Sequence, residues 1–123
     1  MTRVVVTSEA HRTVRHIREI MEKNSVSALP IVSADGQPLG IVSTTDLLPE
    51  LEENTAVGQI MTKNIYTISM YGDVSTAARV MRNHRIHRLI VTDENRVVGI
   101  LSAFDLLKVM EDHRYIEDKA NPS

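Results

Sequence analysis

The stretch Gly40-Ile41-Val42-Ser43-Thr44-Thr45-Asp46-Leu47-Leu48 decides the fold, because the chain contains it twice. It returns 59 positions later as Gly99-Ile100-Leu101-Ser102-Ala103-Phe104-Asp105-Leu106-Leu107, with six of the nine residues identical. Each copy passes from a short apolar run, through a polar step that carries Ser and Asp, into an apolar periodic segment. This pattern predicts a strand, a turn and the start of a helix. The chain is therefore predicted to be an internal duplication.

The residues around the two copies repeat as well. Apolar positions pair at an offset of 60: Val14 with Val74, Met21 with Met81, and Leu29 with Leu89. Helical periodicity predicts helices from about His11 to Lys23 and from Asp73 to about Arg85. Turn-forming residues at 34–37 and 93–95 predict one hairpin in each half. The polar segment near residue 54 marks the boundary, which gives one repeat at 1–54 and a second at 55–123.

A single repeat of this size is too small to bury both faces of its own sheet. Two repeats packed sheet to sheet about a pseudo-twofold axis, with helices outside, would bury the shared face. The predicted fold class is therefore α+β, with two β-α-β-β-α repeats in one compact module. Because the chain has one Phe and no Trp, its core must consist mainly of Val, Ile, Leu and Met.

Composition argues against several functions. A net charge of −2 is unlike that of a general nucleic-acid-binding protein, and the absence of Cys excludes disulfides and thiolate metal sites. No apolar run approaches the roughly 20 residues that span a bilayer, and the N-terminus lacks a secretory apolar region. We therefore expect a cytoplasmic protein that binds neither membrane nor nucleic acid. Phosphate-loop and nucleophile motifs are missing, and His84 with His87 supplies too few ligands for a metal site, so we expect neither an enzyme nor a metalloprotein.

Short motifs in register resemble those of CBS domains. In the second half they are Ile60-Met61-Thr62 before a short strand, Ile86-His87-Arg88-Leu89 after a helix, and the Gly-x-x-Ser-x-x-Asp corner. The first half has Ser27-Ala28-Leu29-Pro30-Ile31-Val32 and its own corner, but no Ile-Met-Thr precedes Val4. The resemblance covers about residues 4–110 and is to a stand-alone tandem pair, the arrangement called a Bateman module.

The resemblance implies a regulatory module that binds adenosine compounds in clefts between its repeats. The implied ligands are AMP, ADP, ATP or S-adenosylmethionine, with no required cofactor, and binding would be transmitted to an unidentified protein target. It also implies a homodimer. The residue roles that it carries over are ribose contact by Ser43, Asp46, Ser102 and Asp105, phosphate contact by Arg85, His87 and Arg88, and an adenine pocket of Ala28, Leu29, Pro30 and Ile65.

Each assignment has an alternative that the residues leave open. A Ser followed three residues later by Asp is also a helix-capping pair. The basic residues between positions 79 and 88 also fit a solvated face that balances the acidic run at 50–53. The chain as a whole also fits a ligand-free dimerisation scaffold.

The two halves are predicted to differ in charge beside their clefts. Where the second half has Arg85, His87 and Arg88, the first half has only small uncharged residues, Ser25, Ser27 and Ala28. Since Arg suits phosphate through its planar pair of donors, we expect two sites of unequal strength.

Overall fold

The computed structural model of the chain describes residues 2–3 and 6–108, the first two through their backbone. The described residues form, in order, β1 (Thr2–Arg3), α1 (Val14–Asn24), β2 (Ala28–Val32), β3 (Pro38–Ser43), β4 (Thr67–Ser69), α2 (Val74–His84), β5 (Arg88–Asp93) and β6 (Arg96–Ser102). Short 3₁₀ turns lie at Thr45–Leu47 and Val57–Gln59, and residues 103–108 are helical. The sequence also predicts a first strand at Val4–Val6, a last helix that continues past Met110 and a polar tail at 117–123. Val4, Val5 and all residues after 108 lie outside the described residues.

Both helices begin at a side-chain cap. Thr13 accepts a hydrogen bond from the His16 N–H at 3.2 Å, and Asp73 accepts one from the Thr76 N–H at 2.7 Å. Each cap satisfies an N–H that has no partner within the helix. The first helix therefore begins at Val14 and not at His11, because the cap residue itself is extended.

The two repeats form matching antiparallel hairpins. β2 pairs with β3, and β5 pairs with β6. On one side of each hairpin lies a parallel neighbour: β4 runs beside β5, and Ser8 forms a parallel bridge with Ile31. The duplication seen in the sequence thus extends to the backbone pairing, which confirms the α+β fold with an internal repeat.

The first part of each repeat, which we call its lead-in (residues 2–3 in the first repeat and 60–66 in the second), contacts the other repeat. Thr62, in the lead-in of the second repeat, pairs with Ile41 in β3 through bonds of 3.0 and 2.9 Å. Thr2, in the lead-in of the first repeat, pairs with Ile100 in β6. The absence of Ile-Met-Thr before Val4 therefore does not remove this pairing, because Thr2 and Thr62 are themselves related by the offset of 60.

Gly40, the first residue of the duplicated corner, is required by this crossing. A Cβ at Gly40 would lie 2.6 Å from the Met61 Sδ and 2.8 Å from the Thr62 carbonyl oxygen. Real Cβ atoms do not approach other heavy atoms so closely. The glycine of the corner therefore serves the contact between repeats.

Each repeat has its own aliphatic core between its helix and its hairpin. The first contains Val14, Ile17, Met21, Leu29, Ile31, Val42, Leu47 and Val57, and the second Ala77, Met81, Leu89 and Leu106. Successive residues of a strand face opposite ways. Leu89 faces the second core, yet its neighbour Ile90 is only 2% exposed. Burial on both faces of β5 is what the packing of one repeat against the other requires.

Candidate functional site

A cleft of about 270 Å³ lies where the two repeats meet. The first repeat lines it with Ile41, Ser43 and Asp46, the lead-in with Thr62, Asn64, Ile65 and Tyr66, and the second repeat with Arg85, Ile86, His87, Arg88 and Ile90. This volume is near the lower end of the range for small-molecule sites. The lining combines isoleucine side chains, one carboxylate and three basic side chains.

The corner of the first repeat holds Asp46 at the cleft through reciprocal bonds with Ser43. The Ser43 N–H donates to Asp46 Oδ2 at 2.8 Å, and its hydroxyl lies 3.1 Å from the same oxygen. The Asp46 N–H is 3.4 Å from Ser43 Oγ. This is the geometry of a helix-capping pair, which is the alternative that the Ser-x-x-Asp spacing left open. All of these carboxylate contacts use Oδ2, and among the described residues none donates to Oδ1, which stays available to a ligand.

The corner of the second repeat has the same internal geometry. The Ser102 N–H donates to Asp105 Oδ2 at 3.0 Å, and the Asp105 N–H donates to Ser102 Oγ at 3.0 Å. Desolvation alone raises the pKa of Asp105, but the hydrogen bonds with Ser102 and the nearby charge of Lys108 outweigh it, so that the pKa falls below its ordinary value of 3.8. Asp105 is therefore ionised at neutral pH.

The basic residues of the cleft, Arg85, His87 and Arg88, come from the turn that joins α2 to β5, and we call them the basic wall. Arg85 ends α2 in the left-handed conformation, with φ 52° and ψ 45°. His87 and Arg88 follow, and the His87 carbonyl accepts a hydrogen bond from the Ala103 N–H at 2.8 Å, which ties this turn to the second corner. Three cationic or titratable side chains thus face the same cleft as Asp46 from the opposite repeat. Arg79 and Arg82, on α2, do not line it.

Sequence reasoning missed several residues of the cleft wall, which come from the lead-in, from the turn after α2 and from β5. Tyr66 lines the cleft, and its ring stacks on His84 with centroids 4.1 Å apart and planes 24° apart. Ile86 and Ile90 add apolar surface. A signal for Ile90 was present, because it occupies the position of Pro30 at the offset of 60. Tyr66 had no such signal, since its counterpart Val6 is aliphatic.

Of the four residues predicted to form an adenine pocket, Ile65 alone lines this cleft. Leu29 and Pro30 are fully buried, and Ala28 is half-buried, all in β2. The offset of 60 makes them the counterparts of Arg88, Leu89 and Ile90, and the pairing of β2 with β3 sets Ala28 across from Ser43. The counterpart of Ile65 is Val5, which lies outside the described residues.

The described residues add two further findings. Within 2–3 and 6–108, no group of three His, Asp or Glu side chains gathers in a way that holds a metal ion. None of the helices in this part of the chain is long and apolar enough to cross a bilayer.

Each half of the chain by itself matches a known family of domains. The CBS domain family matches residues 1–53 and again residues 57–112. The chain is a tandem pair of CBS domains. The CBS domain pair of protein MJ0100, in complex with 5′-methylthioadenosine and S-adenosyl-L-methionine, superposes with a TM-score of 0.77 at 26% identity, over 88% of this chain and 89% of that one. A putative acetoin utilization protein from Vibrio cholerae superposes with a TM-score of 0.80 at 26% identity, over 99% and 94%.

Larger proteins carry similar CBS pairs. The inosine-5′-monophosphate dehydrogenase of Halobacterium salinarum is 36% identical over 110 residues, which is 87% of this chain and 22% of that protein. The chain thus spans less than a quarter of the length of this curated relative. In this chain, the CBS domain matches at 1–53 and 57–112 cover nearly all of the described residues, and such a pair is a regulatory module.

Proposed function

We propose that this CBS pair is a sensor that binds a phosphate-bearing adenosine compound in the cleft between its repeats. The observation that carries the proposal is the presence of Asp46 from one repeat and Arg85, His87 and Arg88 from the other in a single cleft. A ligand that contacts both sides would link the two repeats. AMP, ADP and ATP are the ligands favoured by this arrangement.

The chemistry of each wall supports one part of such a ligand. The free Oδ1 of Asp46 would accept hydrogen bonds from the vicinal ribose hydroxyls, a charge-assisted contact. Arg85 and Arg88 would each offer a planar pair of donors to phosphate, and His87 a further donor. The isoleucine side chains and the Tyr66 ring would cover the faces of the adenine.

The ligands in the MJ0100 pair belong to the same chemical class, since both contain adenosine. S-adenosylmethionine carries a carboxylate, which Arg also binds through paired donors. The basic wall therefore favours adenosine compounds that carry a phosphate or a carboxylate over 5′-methylthioadenosine, which carries neither. By the same reasoning, a site at the second corner would bind phosphate more weakly, because the duplication puts Ser25, Ser27 and Ala28 at the positions of Arg85, His87 and Arg88.

Transmission would proceed through assembly or through a protein target. Leu48 and Leu107, which are related by the duplication, are 79% and 62% exposed, and Phe104 is 68% exposed. Large exposed apolar side chains of this kind are typical of contact surfaces. We propose that they contribute to a homodimer in the cytoplasm. A ligand shifts such an equilibrium only as far as its affinity differs between the two states.

A calorimetric titration with adenosine, AMP, ADP, ATP, S-adenosylmethionine and NAD tests the proposal. Ligand at 100 times its Kd stabilises the folded state by about 2.7 kcal/mol, which a thermal shift also detects. Arg88→Ala should weaken AMP about tenfold or more and leave adenosine nearly unchanged, because a charged hydrogen bond contributes roughly 1.5–3 kcal/mol. Arg82→Ala, on the exposed part of α2, is the matched control and should change neither ligand.

Three results would decide against the proposal. If no adenosine compound binds at millimolar concentration, the ligand-free scaffold is the better description. If Arg88→Ala weakens adenosine as much as AMP, Arg88 acts on the shape of the cleft and not on phosphate. If Arg82→Ala weakens AMP as much as Arg88→Ala does, the attraction is that of a general basic surface. Sedimentation velocity with and without ligand reports the expected dimer.

A further inference from the structure

Arg18 joins the first helix to the ligand-facing corner of the first repeat. It lies near the middle of α1, and its Nη2 donates to the carbonyl oxygen of Leu47 at 2.8 Å. Leu47 directly follows Asp46 in the 3₁₀ turn at 45–47. A hydrogen bond from a guanidinium is stronger than one between neutral groups. The bond therefore restrains the Leu47–Leu48 peptide, one residue beyond the carboxylate that faces the cleft.

Glu53, in the segment between the repeats, holds the other side of this guanidinium. Arg18 Nε lies 3.6 Å from Glu53 Oε1, which is too long for a hydrogen bond but is within ion-pair range. The Nε atom is buried and, among the described residues, has no hydrogen-bond partner. The planar guanidinium is thus directed toward Leu47 at one edge and Glu53 at another. Its orientation is restricted on two sides.

Among the described residues of the second repeat, up to Lys108, this contact has no equivalent. The duplication places Ala78 at the position of Arg18, and alanine has no side-chain donor. The internal Ser–Asp bonds of the two corners are nevertheless alike. The contact from its own helix is therefore one feature that distinguishes the first corner from the second.

We propose that Arg18 is a positioning residue that sets the orientation of Asp46 toward the ribose hydroxyls of the bound ligand, an inference that rests on the proposed adenosine-binding function. Without Arg18 the short 3₁₀ turn keeps the Ser43–Asp46 bonds and its backbone bonds, among them Leu47 N–H to Thr44 and Leu48 N–H to Thr45 at 3.1 and 3.2 Å, but it loses its side-chain contact with α1. Asp46 then samples more orientations, and the part of the affinity that depends on the ribose hydroxyls decreases.

Arg15 supplies a matched control on the same helix. Its Nε lies 3.7 Å from Glu53 Oε2, so it shares the acidic partner of Arg18, but it has no bond to the Leu47 carbonyl. Calorimetry would compare AMP with 2′,3′-dideoxy-AMP, which lacks both ribose hydroxyls. Arg18→Ala should weaken AMP about 5- to 20-fold and the dideoxy compound less than twofold. Arg15→Ala should leave both within twofold, and Arg18→Lys, which keeps a donor, should recover part of the AMP affinity.

Hydrogen exchange of the ligand-free protein tests the positioning itself. The Ser43 N–H donates to Asp46 Oδ2 at 2.8 Å, so its exchange rate reports how well Asp46 is held. Arg18→Ala should accelerate this exchange several-fold, and Arg15→Ala should not. Unchanged exchange in Arg18→Ala would overturn the positioning role, whether or not any ligand binds.

The other outcomes separate this inference from the proposed function. Equal loss of AMP affinity in Arg15→Ala and Arg18→Ala would overturn the inference, because the two residues share only their ion pairs with Glu53. Equal loss of AMP and the dideoxy compound in Arg18→Ala would overturn it in favour of a change in cleft shape. If the unmodified protein binds neither AMP nor any other adenosine compound, the proposed function fails, and the inference fails with it.

Discussion

Replacing Arg85 with glycine should raise the stability of the protein and weaken its binding of phosphate. Arg85 ends α2 with φ 52° and ψ 45°, in the left-handed region. Its N–H bonds to the Arg82 carbonyl, and the Ile86 N–H bonds to the Met81 carbonyl, a pattern that usually has glycine at this position. The side chain also lines the cleft. Arg85 therefore combines a destabilising backbone conformation with a proposed role in phosphate binding.

The expected magnitude follows from this backbone conformation. A side-chain-bearing residue in the left-handed region costs roughly 1–2 kcal/mol, and glycine loses roughly 0.5–1 kcal/mol more backbone entropy on folding. Arg85→Gly should therefore stabilise the fold by about 0.5–1 kcal/mol. Loss of one charged donor should weaken AMP by about tenfold and leave adenosine unchanged.

The duplication provides a matched control at Ser25. This residue ends α1 with φ 54° and ψ 42° and has the same pair of backbone bonds, but it does not line the cleft. Ser25→Gly should raise stability by the same amount and leave AMP binding in the cleft unchanged. Urea unfolding measures the stability change and calorimetry the binding. If Arg85→Gly leaves AMP affinity intact, Arg85 is a solvated residue; if it destabilises the fold, the cost assigned to the left-handed backbone is wrong.

Two further predictions concern stability. Gly40→Ala should destabilise the fold by about 2–3 kcal/mol, because the new Cβ meets the Thr62 carbonyl, a backbone group that cannot move aside as a side chain can. Adding Met61→Ala to this variant should not restore the lost stability. Urea unfolding measures both changes. The pKa of Asp73 is lowered by its hydrogen bonds to Thr76 and Ser75, so its stabilising contribution is present above the ordinary value of 3.8 and is lost as pH falls through the lower native value. The difference in stability between the unmodified protein and Asp73→Asn should therefore shrink between about pH 5 and pH 2, and a constant difference across that range would contradict the assignment.

Much of the fold could be predicted because local patterns recur in register. The helices, the hairpins and the two corners follow from periodicity and turn residues, which are properties of neighbouring residues. The offset of about 60 then shows that the same local patterns occur twice. The boundaries moved by a few residues, as at α1, where Thr13 caps a helix expected to begin at His11. The Ser–Asp bonds of both corners were also expected from spacing alone, since residues three apart at a helix start lie within bonding distance.

The cleft depended on contacts between distant parts of the chain. Neither repeat alone contains the cleft, because Asp46 comes from the first repeat and Arg88 from the second. No local sequence pattern predicts that these two side chains line the same cleft. The crossing of the lead-in decides this arrangement, since it brings Ile65 and Tyr66 to the same wall. Arg18 is a similar case: its bond to the Leu47 carbonyl spans 29 positions.

The sequence by itself determined that the protein is a duplicated α+β module with two Ser–Asp corners, because that information is local and is written twice. The sequence also showed that the turns beside the two clefts differ in charge, and only the tertiary structure decided which corner the basic turn faces. The basic turn of the second repeat faces the first corner, and Arg18 holds that corner while Ala78 leaves its counterpart without such a contact. The physical reason is that a pseudo-twofold axis repeats backbone positions and not side-chain chemistry.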